Sequence, residues 1–316
     1  MNIIFAGTPD FASRHLEIVM GSKHHISCAL TQPDRQSGRG MEVNLSSVKT
    51  FANKEKIEIF QPKSLKNDDV IDKIKYLKPD LMLVVAYGLL IPKPILDIPS
   101  LGCINIHASI LPRWRGASPM EYSILNGDKK IGLSYMQMSE GLDEGPVYEI
   151  HECDLDPEDN LPIVEEKLIQ LSEINLNKFL DKLEKNEINH KSQNDEMATF
   201  APKINKDFLQ IDWKGESSLE IIRKINALSS KYGTFTHLND KRVKIHKAKN
   251  YQYESSLAPG AIKSSDEGMI VSCKDGTALI VDTIQMQGKN MVTGKEFIRG
   301  YANLIEAHKN FNSANQ

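Results

Sequence analysis

The feature that most constrains this chain is a repeated alternation, over its first hundred residues, of short apolar runs with amphipathic segments. Asn2-Ile-Ile-Phe-Ala6 is broken at Gly7-Thr8-Pro9, after which Phe11, His15, Ile18 and Val19 recur at helical spacing. Residues 26–30 then predict a strand, 48–52 a short helix and 57–60 a further strand. Val70, Ile71, Ile74 and Leu77 mark an amphipathic helix, and residues 81–86 and 103–106 complete the strand set. Strands alternating with helices in this way predict an α/β fold. Its sheet should be doubly wound and mostly parallel, with ligands beyond the strands' carboxyl ends.

The pattern changes after residue 130. Residues 131–138 and 147–153 alternate as strands joined through a Gly-rich turn, which suggests an antiparallel edge. Ile163, Leu168, Leu171, Ile174, Leu176 and Leu180 give a long helix, followed by a polar stretch over residues 184–196. Beyond Pro202, one helix (Leu219, Ile222, Ile225, Leu228) precedes short strands near residues 243–245, 261–262, 269–272 and 278–281. Short strands at that spacing predict a small barrel. The 316 residues exceed the roughly 250–300 that one core usually serves. The expected division is 1–186, a linker at 187–204, and 205–316.

Composition excludes several classes. With 40% hydrophobic and 26% charged residues and no low-complexity segment, the chain is neither disordered nor fibrous. The longest apolar run, residues 81–92, falls short of the roughly 20 residues that span a bilayer, so no membrane partner is expected. The start, MNIIFAGTPD, lacks the marks of a secretory signal, and a cytoplasmic location is expected. Cys28, Cys103, Cys153 and Cys273 form no CxxC pair and are expected to be reduced. The net charge of −3 hides an asymmetry: residues 205–316 hold 16 Lys and Arg against 12 Asp and Glu, or +4, which leaves −7 for the remainder.

The segment Gly102-Cys-Ile-Asn105-Ile-His107-Ala-Ser109 is the most informative for chemistry. On a strand, Asn105 and His107 share a face about 6.6 Å apart, and at the strand's carboxyl end they would project into the ligand crevice. There an amide and an imidazole can donate hydrogen bonds to a developing oxyanion; they could equally satisfy loop backbone groups. Asp143, between Gly141 and Gly145, is by itself a common turn residue. Together with Asn105 and His107 it becomes a candidate proton acceptor for acyl transfer onto an amine. A zinc site drawn from Cys103, His107, His151 and Cys153 is opposed by geometry, since Cys103 and His107 would stand about 13 Å apart on a strand. No metal is expected. Gly7-Thr-Pro-Asp-Phe-Ala12 lacks the three-glycine dinucleotide fingerprint.

Eight segments share a recognisable pattern: Ala6-Gly-Thr-Pro-Asp-Phe11, Thr31-Gln-Pro-Asp-Arg35 with Gly38-Arg-Gly40, Val84-Val-Ala-Tyr-Gly88, Asn105-Ile-His107, Ser109-Ile-Leu-Pro-Arg-Trp-Arg-Gly116, Met136-Gln-Met with Gly141-Leu-Asp143, Phe200-Ala-Pro-Lys-Ile204 and Ile211-Asp-Trp213. Together they resemble the methionyl-tRNA formyltransferases. The resemblance runs essentially end to end. It implies a formyltransferase-type Rossmann-like domain followed by an OB-like barrel that binds tRNA, in an enzyme expected to be a monomer. The implied reaction moves a formyl group from 10-formyltetrahydrofolate, as co-substrate, to the α-amine of methionyl initiator tRNA. Carried over residue by residue, the catalytic set falls on Asn105, His107 and Asp143, and the folate-contacting run on Ser109, Ile110, Leu111 and Pro112. Backbone groups around Val85, Tyr87 and Gly88 would help seat the pterin.

The loop holding Arg35 and Arg39 resembles the element that meets the tRNA acceptor end. Arg242 and Lys244, on the basic strand Lys241-Arg-Val-Lys-Ile-His-Lys-Ala-Lys249, are candidate phosphate contacts; a solvated strand face is the plain alternative. Two departures stand out. Residues 41–47 carry no lysine or arginine, where relatives usually carry lysines and a proline, and residues 226–234 lack the Asn-Pro-Trp-Pro-Gly element of relatives. The alternatives are a formyltransferase for a sugar amine or glycinamide ribotide, a formyl-folate hydrolase, and, from another class, an inactive RNA-binding protein.

Overall fold

The computed structural model describes residues 1–37, 42–252 and 255–312, with only the backbone described at 35–37 and 42–43. The chain forms two compact units. One comprises residues 1–119, 130–154 and 165–201, the other residues 120–129, 155–164 and 202–316.

In the first unit, β1 (Asn2–Gly7), α1 (Asp10–Met20), β2 (His25–Leu30), the β3 (Arg35–Ser37) and β4 (Glu42–Asn44) hairpin, α2 (Ser47–Lys54), β5 (Ile59–Phe60), α3 (Asp68–Tyr76), β6 (Leu81–Val85), α4 (Lys93–Leu96) and β7 (Cys103–His107) follow in turn. The short β8 (Arg115–Gly116) leads through α5 (Pro119–Asn126), which belongs to the second unit from residue 120 on, to β9 (Lys130–Gln137), β10 (Val147–Asp154) and α6 (Leu161–Glu184), whose first turn also belongs to the second unit. The main sheet has seven strands in the order β10-β9-β7-β6-β1-β2-β5. The five strands from β7 to β5 are parallel, and β9 and β10 are antiparallel additions.

Burial explains the local sequence. β1 and β6 are apolar on both faces because helices cover both, as parallel sheets require. Cys28, Val70, Ile74, Met82, Ile95 and Cys103 pack into one cluster with Ile4 and Leu30, so α3 and α4 cover one face. α1 meets α6 through His15, whose Nε2 lies 2.7 Å from the Ser172 hydroxyl. Tyr135 on β9 packs its ring 4.8 Å from that of Phe179 on α6.

Residues after α6, as far as 201, stay with the first unit. Lys191 exchanges two backbone hydrogen bonds with Val147, and β11 (Phe200–Ala201) pairs in parallel with β8. The polar stretch is therefore tied down at Lys191, and the chain just beyond it at β11.

The second unit contains α7 (Ser218–Leu228), β12 (Phe235–Leu238), β13 (Lys241–Tyr251), β14 (Ile262–Ser264), β15 (Met269–Ser272), β16 (Ala278–Met286), β17 (Met291–Thr293), α8 (Gly294–Gly300) and α9 (Ala302–His308). Capping boxes start α7 at Ser217/Glu220 and α8 at Thr293/Glu296. The antiparallel sheet runs β12-β13-β16-β15-β14 with β17 against β16, a half-barrel over a core of Trp213, Val243, Ile245, Val271, Leu279 and Phe297. Register shifts in β13 between Ile245 and Ala248 let this long strand curve. The open side is spanned by the C-terminal segment. Asn312 bridges His237 on β12, Asn310 bridges Ala261 beside β14, and Phe311 stacks on Trp213.

Candidate active site

The carboxyl ends of β1, β6 and β7 lie side by side in the sheet order, with Gly7 paired to Val85 and Asn105 to Val84. This is the edge where a doubly wound sheet binds its ligand. Asn105 is half-buried and His107 buried, while Asp143 reaches them from the β9–β10 loop. Asn105 Nδ2 donates to Asp143 Oδ1 at 3.4 Å, and Asp143 Oδ2 stands 3.6 Å from His107 Nδ1. The second distance exceeds a hydrogen bond. A substrate oxygen or a water can be shared there, and catalytic contacts commonly tighten only around substrate.

Two backbone groups complete the cluster. His107 Nε2 lies 2.9 Å from the Trp114 carbonyl, which accepts only, so Nε2 carries a hydrogen and Nδ1 is the nitrogen left to face the carboxylate. The Gly116 N–H donates to Asp143 Oδ2 at 2.9 Å. Asp143 adopts φ 49°, the left-handed region that Asp tolerates better than most residues. Trp114 and Gly116 act through backbone atoms, and side-chain chemistry gives no signal for such roles.

The run after β7 is a compact turn. Ser109 is buried, its hydroxyl donating to the Arg113 carbonyl at 2.6 Å and its own carbonyl accepting from Ser134 at 2.7 Å. Ser134 Oγ also accepts from Leu111 N at 3.0 Å, while Ile110 and Pro112 are half-buried. After β6, Ala86 (φ 45°) and Gly88 (φ 82°) reverse the chain. A Cβ on Gly88 would come within 2.4 Å of Gln32 Nε2. Val85 is buried. The Tyr87 carbonyl is already engaged by Thr8 Oγ1 at 2.9 Å and Gln32 Nε2 at 3.0 Å, and the Tyr87 ring is buried.

Burial pushes the thiols of Cys28 and Cys103 up to about 12, which keeps both protonated at neutral pH. Away from the crevice, His24, Asp181 and Glu184 bring ligand atoms within 4.8 Å, but Lys23 holds both carboxylates, at 3.0 and 2.9 Å.

Residues 1–180 match the formyl transferase family and residues 203–302 its C-terminal domain. A methionyl-tRNA formyltransferase of Legionella pneumophila is 40% identical over 299 residues, covering 94% of this chain and 95% of that protein. The chain belongs to the methionyl-tRNA formyltransferase family. Family members from Pseudoalteromonas translucida (40% identity, 96% and 95% covered) and Nitrosomonas europaea (39%, 100% and 98%) match to the same extent. Among solved structures, a sugar 3N-formyl transferase crystallised with dTDP and 5-N-formyl-THF superposes with TM-score 0.66 at 18% identity, covering 92% of this chain and 99% of that one. The methionyl-tRNA formyltransferase of Clostridium thermocellum gives TM-score 0.55 at 20% identity, with 79% and 93% covered. At these identities the likeness concerns the fold.

The structure therefore brings Asn105, His107 and Asp143 into one cluster and sets the Ser109–Pro112 turn directly after it. Arg39 lies outside the described residues, and Arg35 is described only as backbone in β3. On β13, Val243 and Ile245 are fully buried, as a strand with one face on the core requires. Arg242 lies with its guanidinium 3.6 Å from the Phe235 ring centre, and Lys244 is half-buried. No described helix is long and apolar enough to cross a membrane.

Proposed function

We propose that the protein, acting as a monomer, transfers the formyl group of 10-formyltetrahydrofolate to the α-amino group of methionyl initiator tRNA. Residues 1–186 carry the chemistry, and residues 205–316, joined by 187–204, carry tRNA. The observation that supports this reading best is the Asn105–His107–Asp143 cluster in a chain that matches methionyl-tRNA formyltransferases over nearly its whole length. Asn105 Nδ2, and His107 Nδ1 when the ring carries a proton on both nitrogens, are the donors for the formyl oxygen as the amine attacks and charge gathers there. Asp143 accepts the proton that the attacking nitrogen must lose. As the C–N bond to the folate breaks, a proton from His107 or a water goes to the departing nitrogen. The Ser109–Pro112 turn and the 85–88 turn form the folate wall, where few side chains compete with backbone groups. Arg35, Arg39, Arg242 and Lys244 serve tRNA phosphate, and binding through them is salt-sensitive.

The test is incubation with 10-formyltetrahydrofolate and methionyl initiator tRNA, with elongator tRNA and buffer as controls. N-formylmethionyl-tRNA formed only with the initiator supports the reading. Formate released without tRNA would assign a hydrolase instead.

A further inference from the structure

Gln193 lies in the polar stretch that follows α6 in the chain, yet its amide is fully committed inside the first unit. Nε2 donates to the carbonyls of Asp143 (2.8 Å) and Gly145 (2.7 Å). Oε1 accepts from Arg115 Nε (3.0 Å) and Nη2 (2.9 Å). Two donors and two lone pairs make four bonds, so the amide has nothing left over. Its orientation is dictated as well. Flipped, it would set its oxygen against two carbonyl oxygens and its NH2 against a guanidinium.

The bonds close a ring through the Asp143 carboxylate. From the Asp143 carbonyl the path runs through Gln193 to the Arg115 side chain, on to the next residue, and back by the Gly116 N–H to Asp143 Oδ2. Gln193 thus fixes both the backbone that carries the carboxylate and, through Arg115, the donor that holds it. Arg115 is buried, and its remaining side-chain bond goes to the exposed Asp195 at 2.7 Å. The loop that needs this restraint is glycine-flanked, with Leu142 and Glu144 exposed and Asp143 at φ 49°.

We infer that Gln193 is a positioning residue for the transfer step, holding the Asp143 carboxylate in register with His107 and Asn105 by gripping the loop's carbonyls and the Arg115 guanidinium. The inference rests on the function proposed above, in which Asp143 is the base. It gives the segment after α6 a part in the chemistry besides joining two domains.

The experiment compares wild type, Gln193→Ala and Gln193→Glu in steady-state formyl transfer to methionyl initiator tRNA. Gln193→Glu keeps the side chain's length and an acceptor for Arg115 but loses both donors; if Gln193→Ala does not fold, the isosteric variant carries the test. A misplacement approaching 1 Å costs up to about 10²-fold in rate, so kcat should fall about 10–100-fold in both variants. KM for the formyl donor and for tRNA should stay within about threefold, because all four hydrogen-bonding positions of the amide are taken by protein groups. Adding Gln193→Ala to Asp143→Asn should then cost nothing further in single-turnover rate, as residues acting through one group are non-additive. Wild-type kcat in Gln193→Glu, a loss confined to KM, or a fully additive double variant would each overturn the inference. A wild-type enzyme unable to formylate methionyl-tRNA would overturn the proposed function and this inference with it; an active wild type with unaffected variants would overturn the inference alone.

Discussion

Gly116→Ala is the most direct probe of how the backbone serves the cluster. Gly116 sits at φ 126°, where an alanine costs on the order of 1–3 kcal/mol. Its new Cβ would lie 2.6 Å from the Ala201 carbonyl oxygen, a backbone atom of the paired strand β11. Ordinary contact begins near 3.4 Å, so β8 and β11 must separate by about 0.8 Å or the Gly116 backbone must rotate. If that displacement falls on Gly116, its 2.9 Å bond to Asp143 Oδ2 stretches beyond the roughly 3.2 Å limit of an N–H···O bond. The expected result is a stability loss of about 1–3 kcal/mol by thermal melting. A kcat reduction approaching 10²-fold should accompany it in formyl transfer, with KM for the formyl donor nearly unchanged. Wild-type kcat in a folded Gly116→Ala protein would refute the claim that this N–H holds the carboxylate.

Further outcomes follow from other residues. Asn105→Ala removes one oxyanion donor and should lower kcat by about 10²–10³, or about 2.7–4 kcal/mol in the barrier, with unchanged circular dichroism. Burial lowers the pKa of His15 to about 4, beneath its unfolded value near 6.5, so the unfolded chain binds the extra proton between those values. Its contribution is complete above pH 6.5 and is lost as pH falls toward 4, by about 3 kcal/mol, and urea midpoints of wild type and His15→Gln should converge across that window. Lys231 and Tyr232 donate to the buried Glu121 carboxylate at 3.0 and 3.1 Å, so Lys231→Met should cost about 1.5–3 kcal/mol in thermal melting, whereas a solvated lysine would cost almost nothing.

Much of the sheet is legible in the sequence because parallel strands buried on both faces must be continuous apolar runs. The runs at 81–86 and 103–106 correspond to Leu81–Val85 and Cys103–His107, and the alternation at 131–138 and 147–153 to an antiparallel pair. Asn105 and His107 were readable together because a period of two places them on one face. Asp143 came within reach through its glycine-flanked turn, but the spacing alone left it a common turn residue.

What escaped the sequence is held by backbone atoms or by very short pairings. β8 and β11 are two residues each, too short for any periodicity, yet they place the Gly116 N–H. Residues 184–196 read as a polar linker because Gln193 and Asp195 are ordinary surface types, and their partners lie about 50–80 residues earlier. The barrel's closing segment, residues 310–312, was equally silent, since Asn310 and Asn312 pair through their main chain. At residues 226–234, where the element of relatives is missing, Lys231 and Tyr232 instead grip Glu121.

The measurement closest to the central claim is the single-turnover rate of N-formylmethionyl-tRNA formation by Asp143→Asn, with both substrates saturating. The expected result is a folded protein that binds both substrates within a few-fold of wild type and transfers formyl on the order of 10²–10⁴ times more slowly. Transfer at the wild-type rate would contradict it.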